Sequence, residues 1–145
     1  MDLSKVPNGV QARVLVVDDH PSTATTMARA ISRLGPGVEA LAASNGEEAL
    51  AVASQKPVDI LITDWMMNGI NGVELIEKMQ TNKGNRSLYT IMISAYEIQD
   101  IPRSNPRLMI DTCLRKPVRI EEICRLVARQ IQRISPASPL TLPNR

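Results

Sequence analysis

The sequence predicts an α/β fold, a doubly wound parallel sheet of five strands with helices on both faces. Three observations predict it. Short aliphatic runs with no polar face, such as Val14 to Val17 and the set Val58, Ile60, Leu61 and Ile62, have the composition of strands buried on both sides. Segments with apolar residues at helical spacing alternate with these runs, the pattern of strand, crossover helix and parallel strand. Turn-forming clusters such as Gly35-Pro36-Gly37 and Ser44-Asn45-Gly46 separate the two kinds of segment.

Each element follows in order. A polar leader over residues 1–11 precedes the first strand, Val14 to Val17, which stops at Asp18 and Asp19. Pro21 suits the opening turn of a helix, where its missing N–H costs nothing. Met27, Ala28, Ile31 and Leu34 then recur at helical spacing. Val38 to Ala42 reads as the second strand and the Ala-rich Glu47 to Gln55 as the second helix. The third strand ends at Ile62 and hands Asp64 to a loop. Val73, Ile76 and Met79 share one face of a third helix, Val73 to Gln80, and Thr81 to Ser87 is a polar connection.

Tyr89 to Ile93 is the fourth strand and ends at Ser94. Pro102 and Pro106 fall where the alternation calls for a fourth helix. Each removes a backbone hydrogen bond and clashes with the preceding turn, at roughly 3 kcal/mol, so that helix is expected to be short or irregular. Thr112 to Arg115 makes a fifth strand leading to Lys116-Pro117. The last helix, Arg119 to about Ile134, carries Ile120, Ile123, Leu126, Val127, Ile131 and Ile134 on one stripe. The domain is thus expected over residues 12–135, with residues 136–145 as a Pro-rich tail or the start of a linker.

Composition removes several function classes. Seventeen basic against fifteen acidic side chains, net +2, give no strong field for nucleic acid or anionic lipid, and 2% aromatic content leaves little to stack on bases. Direct nucleic-acid binding and membrane association are not expected. MDLSKVPNG lacks the apolar core of a signal peptide, and no segment has the apolar length of a membrane span, so the expected compartment is the cytoplasm. Cys113 and Cys124 are too few for a disulfide framework and read as reduced, packed thiols.

The strand ends carry the chemistry. Right-handed crossovers bring Asp18, Asp19, Asp64, Ser94 and Lys116 to one edge of the sheet. Taken singly, each has an ordinary reading: Asp64 as a solvated loop residue, Asp18-Asp19 as helix caps, Ser94 and Lys116 as solvent-facing groups. Together they form a pocket of three carboxylates, a hydroxyl and an amine. Two carboxylates about 5 Å apart repel by about 3 kcal/mol at an effective dielectric near 20, so the cluster calls for cations. Lys116 supplies one. An all-oxygen donor set favours Mg²⁺ or Mn²⁺ over zinc as the other, and His20 reads as a loop or cap residue and not as a ligand. Such a pocket can accept a phosphoryl group on a carboxylate.

The segments VLVVDDHP, ILITDWMMNGINGVELI, IMISAY and LRKP resemble the motifs of bacterial response-regulator receiver domains, over about Val14 to Ile134. The resemblance implies a flavodoxin-like sheet of order 2-1-3-4-5 and a phosphorylation switch of two-component signalling, not an enzyme beyond assisting its own phosphoryl transfer and autodephosphorylation. It implies Asp64 as phosphoacceptor, with Ser94 and Lys116 on the phosphoryl oxygens. Asp19, Asp64 and the main-chain carbonyl of Met66 would hold Mg²⁺, Asp18 helping through water, and the bond before Pro117 would be cis. The implied donor is a phosphohistidine on a sensor histidine kinase or histidine phosphotransfer protein. The implied recipient of the signal is a C-terminal output domain or a separate downstream protein.

The chain departs from the family in places. Cys113 stands where the family usually has an inward-swinging aromatic residue, and Tyr96, two residues after Ser94, is the alternative mobile ring. Asn68 and Asn71-Gly72 replace the usual Pro and Asp-Gly of the loop after the acceptor. Met66 and Tyr96 flank the path of a hydrolytic water, which predicts a long-lived phosphorylated form. Cys113 and the two prolines also motivate an alternative, a scaffold of the same fold that signals without phosphate. A phosphohydrolase of the haloacid dehalogenase type would need a second Asp where His20 stands. A dinucleotide-binding domain would need a Gly-rich loop where DDHPS stands.

Overall fold

Aliphatic alternation along the strands builds a sheet with two apolar faces. In the computed structural model, which describes residue 6 and residues 9–81, 87–102 and 108–134, five parallel strands form one sheet. They are β1 (Ala12–Val17), β2 (Val38–Ala43), β3 (Ile60–Asp64), β4 (Tyr89–Ser94) and β5 (Thr112–Arg115), in the order β2-β1-β3-β4-β5. The connecting helices are α1 (Pro21–Ser32), α2 (Gly46–Gln55), α3 (Gly72–Gln80) and α4 (Ile120–Ile134).

Val14, Val16, Ile60, Ile62, Ile91 and Ile93 point to one face, where α1 and α4 cover them with Met27, Ile31, Ile123, Val127 and Ile131. Leu15, Val17, Leu61 and Met92 point to the other, against Ala49 and Ala53 of α2 and Val73, Ile76 and Met79 of α3. Each such side chain taken fully out of water contributes about 1.5–3 kcal/mol, so both helical layers are pinned to the sheet. The strand order reverses between β1 and β3, which opens a crevice at their carboxyl ends.

The structure moves several boundaries. β3 and β4 extend to include Asp64 and Ser94, which are therefore not loop residues but the last rungs of their strands. β1 begins at Ala12, and the segment ahead of it is not wholly polar in its packing: Val6 and Val10 are buried, and the Val6 N–H donates to the Leu34 carbonyl over 2.7 Å. On α4, Ile123, Val127 and Ile131 are buried while Ile120 and Leu126 are half-buried. Between β4 and β5 the described residues hold only a single 3₁₀ turn, Ile98–Asp100, with Pro102 exposed just beyond. Pro106, most of the polar connection (residues 82–86) and the Pro-rich tail lie outside the described residues.

Candidate receiver site

Backbone hydrogen bonds at the carboxyl edge fix the site before any side chain is considered. The Trp65 N–H donates to the Ile93 carbonyl over 3.2 Å and the Lys116 N–H to the Ser94 carbonyl over 2.9 Å, so β3, β4 and β5 end in step. The Asp18 N–H donates to Ala43 over 3.1 Å and anchors the turn after β1 to β2. Asp64 lies opposite Ile93, and Ser94 opposite Arg115.

Asp64 is only 4% exposed, and its Oδ1 sits 2.8 Å from Lys116 Nζ. That is the length of a charge-assisted hydrogen bond. Burial pushes the Asp64 carboxyl above its ordinary value; Lys116 pulls it down, the charge of Asp18 pushes it further up, and the net direction is upward. Partial burial by itself lowers Lys116, but the hydrogen bond and charge of Asp64, joined by the charges of Asp18 and Asp19, outweigh it and hold the ammonium above its ordinary value. Ser94 is 2% exposed, and its Oγ accepts the Tyr96 N–H over 2.8 Å.

Asp18 and Asp19 are half-buried at the end of β1. They do not cap α1: the N-cap residue is His20, its side chain makes no cap bond, and Asp18 Oδ1 instead accepts the His20 N–H over 2.9 Å. Single donor atoms of Asp18, Asp19 and His20 lie within 4.8 Å of one another. An open groove of about 510 Å³ runs from this cluster past Thr23, Met27 and Ile93 to Lys116 and Pro117. The oxygen-rich donor set, with the charge of Asp18 close to a buried Asp64, suits a hard divalent cation.

The remaining residues singled out in the sequence spread around this centre. Met66 is exposed, and Tyr96, half outside the protein, meets Trp65 edge-on with ring centroids 5.2 Å apart. The Lys116-Pro117 bond is cis. Cys113 lies within β5 opposite Met92, half-buried against the α2–α3 core and not beside Asp64. Neither Cys113 nor Cys124 forms a disulfide.

Three supporting features escaped the sequence reading. Thr63 Oγ1 donates to the Asp64 carbonyl over 2.8 Å, and a hydroxyl inside a strand gives no such sign in advance. Gly72 N–H donates to the Trp65 carbonyl over 2.8 Å, closing the loop that follows Asp64. Asn71 caps α3 in a reciprocal box with Glu74, with both bonds at 2.9 Å, and the Asn-x-x-Glu spacing was the available signal.

Comparison with known proteins agrees with this fold. The family model described as response regulator receiver domain matches residues 14–128. The chain is 32% identical over 120 residues to the virulence sensor protein BvgS of Bordetella bronchiseptica, covering 79% of this chain but only 10% of that protein. It thus spans about a tenth of that relative's length. The receiver domain from the hybrid histidine kinase CckA superposes with a TM-score of 0.65 at 32% identity, covering 83% of this chain and 100% of that one. The response regulator TrrA from Thermotoga maritima, solved in complex with Mg²⁺-BeF, gives a TM-score of 0.66 at 27% identity, covering 83% and 99%. Among the described residues no helix is long and apolar enough to cross a membrane. With the family matched over most of its length and a five-stranded sheet in the order β2-β1-β3-β4-β5, the chain belongs to the response regulator receiver domains of two-component signalling systems.

Proposed function

We propose that Asp64 accepts a phosphoryl group from a phosphohistidine on a sensor histidine kinase or histidine phosphotransfer protein. The observation that carries this reading is the 2.8 Å contact between a nearly buried Asp64 and Lys116, at an edge shared with buried Ser94 and the Asp18-Asp19 pair. An Asp64 carboxylate oxygen attacks phosphorus, the P–N bond to the donor imidazole breaks with its electron pair going to nitrogen, and an acyl phosphate forms. Lys116, already paired with Asp64, neutralises charge on one transferred oxygen. Ser94, whose Oγ accepts the Tyr96 N–H, donates its own O–H to a second oxygen. Asp18, Asp19, Asp64 and the Met66 carbonyl would hold Mg²⁺, or Mn²⁺, which when bound offsets the negative charge gathered on the phosphoryl oxygens.

The chain acts as a switch and not as a turnover enzyme: acyl phosphate at Asp64 adds nearly two negative charges and draws Ser94 and Lys116 toward it. The open groove between the start of α1 and Pro117 gives a donor protein access to the site. The signal passes to an output domain or a separate downstream protein, and the setting is cytoplasmic. Incubation with Mg²⁺ and acetyl phosphate, followed by intact mass, tests the reading. One phosphoryl group should be gained by the wild type and none by Asp64→Ala. Equal labelling of the variant, or full signalling by it in cells, would instead favour a phosphate-independent scaffold.

A further inference from the structure

The chain contains a single histidine, and the fold sets it against the two carboxylates at the end of β1. His20 Nδ1 lies 3.4 Å from Asp18 Oδ1 and 3.4 Å from Asp19 Oδ1. Its ring is 78% exposed, so no packing contact explains the approach, and as the N-cap residue of α1 it makes no side-chain cap bond. The backbone holds it there: its N–H is tied to Asp18 over 2.9 Å, while its carbonyl accepts the first α1 bonds from Thr23 and Ala24 at 3.0 and 3.2 Å. Pro21, next in the chain, fixes the start of the helix.

These spacings match those of donors around one ion. Ligands on adjacent corners of an octahedron of radius 2.1 Å lie about 3.0 Å apart, so 3.4 Å on both sides leaves a few tenths of an ångström to close. At 3.4 Å the contacts are longer than an ordinary N–H···O hydrogen bond. Carboxylates alone suit Mg²⁺ and Mn²⁺. A neutral imidazole adds affinity for nickel, cobalt or zinc and little for Mg²⁺, which binds nitrogen weakly and keeps its waters.

Resting on the metal reading proposed above, we infer that His20 is a further donor to the cation held at Asp18 and Asp19, beside Asp64 and the Met66 carbonyl, and that it tilts the site from Mg²⁺ toward imidazole-accepting first-row divalent ions. The sequence pattern alone reads His20 as a loop or cap residue; it is the N-cap residue of α1, and the fold also turns its ring toward the acidic pair.

Calorimetric titration of the untagged chain with NiCl₂ and, separately, with MgCl₂ tests this for the wild type, His20→Ala and Asp19→Asn. In His20→Ala the nickel affinity should fall by at least about tenfold while the magnesium affinity stays within about twofold. Proton NMR of the one imidazole supplies a second readout, since nickel should broaden its signals at the concentration at which heat is released. The inference is overturned if nickel and magnesium affinities move together in His20→Ala, if neither moves, or if both rise because the ring had been competing with the ion. Asp19→Asn separates the two levels: loss of both ions there sustains the carboxylate site whatever His20 does, and no loss of either removes the metal reading itself.

Discussion

Tyr96 holds the hydroxyl of Ser94: its backbone N–H donates to Ser94 Oγ over 2.8 Å while its ring stands edge-on to Trp65, centroids 5.2 Å apart. Tyr96 thus links the buried hydroxyl to the exposed ring pair. A rotation of Ser94 toward a phosphoryl oxygen should carry with it the Tyr96 N–H bonded to its Oγ, and so alter the Trp65–Tyr96 contact. Trp65 is the only tryptophan, so its emission reports the step. Adding beryllium fluoride with Mg²⁺ should change Trp65 fluorescence in the wild type, and Ser94→Ala should lose most of that change. Tyr96→Ala should shift the resting emission, because an aromatic pair of this geometry and its roughly 1 kcal/mol of contact energy is gone. An unaltered response in both variants would separate Tyr96 from the switch.

Asp64 should titrate above the ordinary 3.8 in the metal-free protein, and its neighbours should move it in opposite directions. Removing the adjacent negative charge in Asp18→Asn should lower the midpoint. Removing the favourable partner in Lys116→Met should raise it. Because the folded pKa is raised, this group favours the fold while protonated, and that contribution is lost as pH rises through the folded value. Lys116 follows the same sign at the alkaline end, its contribution fading as pH rises through a value above 10.5. Since the nucleophile must be ionised, the phosphorylation rate should fall as pH is lowered through the Asp64 midpoint. Carbon-13 shifts of the Asp64 carboxyl across a pH series measure the direction in each variant.

Much of the fold was legible because aliphatic runs and helical spacing are direct consequences of burial. All five strands and four helices fall within a few residues of their expected positions. The misses have physical causes. Arg13 looks like the polar residue before a strand, yet it is buried in β1, its guanidinium paired with Glu39 and donating to the carbonyls of Val52 and Lys56. A charge can enter a strand only when such partners exist, and partners come from tertiary structure. Asp64 and Ser94 were expected beyond the strands because polar residues usually end them; instead the sheet carries both inside, where burial sharpens their chemistry. Asn71 was visible as turn chemistry but not as half of a capping box. His20 was read by its neighbours in sequence, whereas its position is set by Asp18.

The capping box at the start of α3 should contribute measurably to stability. Asn71→Ala removes the side-chain acceptor for the Glu74 N–H and leaves only the other half of the box, the residue 71 N–H donating to Glu74 Oε1. Chemical denaturation should show a loss of about 1 kcal/mol, and Asn71→Asp should retain most of it. Equal losses in the two variants would show that the cap is not the source.

Met66 and Tyr96 should set the lifetime of the acyl phosphate. Both are exposed, Met66 two residues beyond Asp64 and Tyr96 two beyond Ser94, so their bulk is expected to narrow the path of water to an acyl phosphate on Asp64. Met66 offers that water only a weak thioether acceptor, and the Tyr96 ring is braced by Trp65. An asparagine at position 66 could orient the attacking water, so Met66→Asn should shorten the half-life roughly tenfold, equivalent to about 1.4 kcal/mol off the barrier. Tyr96→Ala should act in the same direction through steric access alone, and the double variant should exceed either, because one change orients the water and the other admits it. Loss of label timed after removal of acetyl phosphate measures all three. Wild-type release as fast as that of Met66→Asn would mean that the rim does not shield the acyl phosphate.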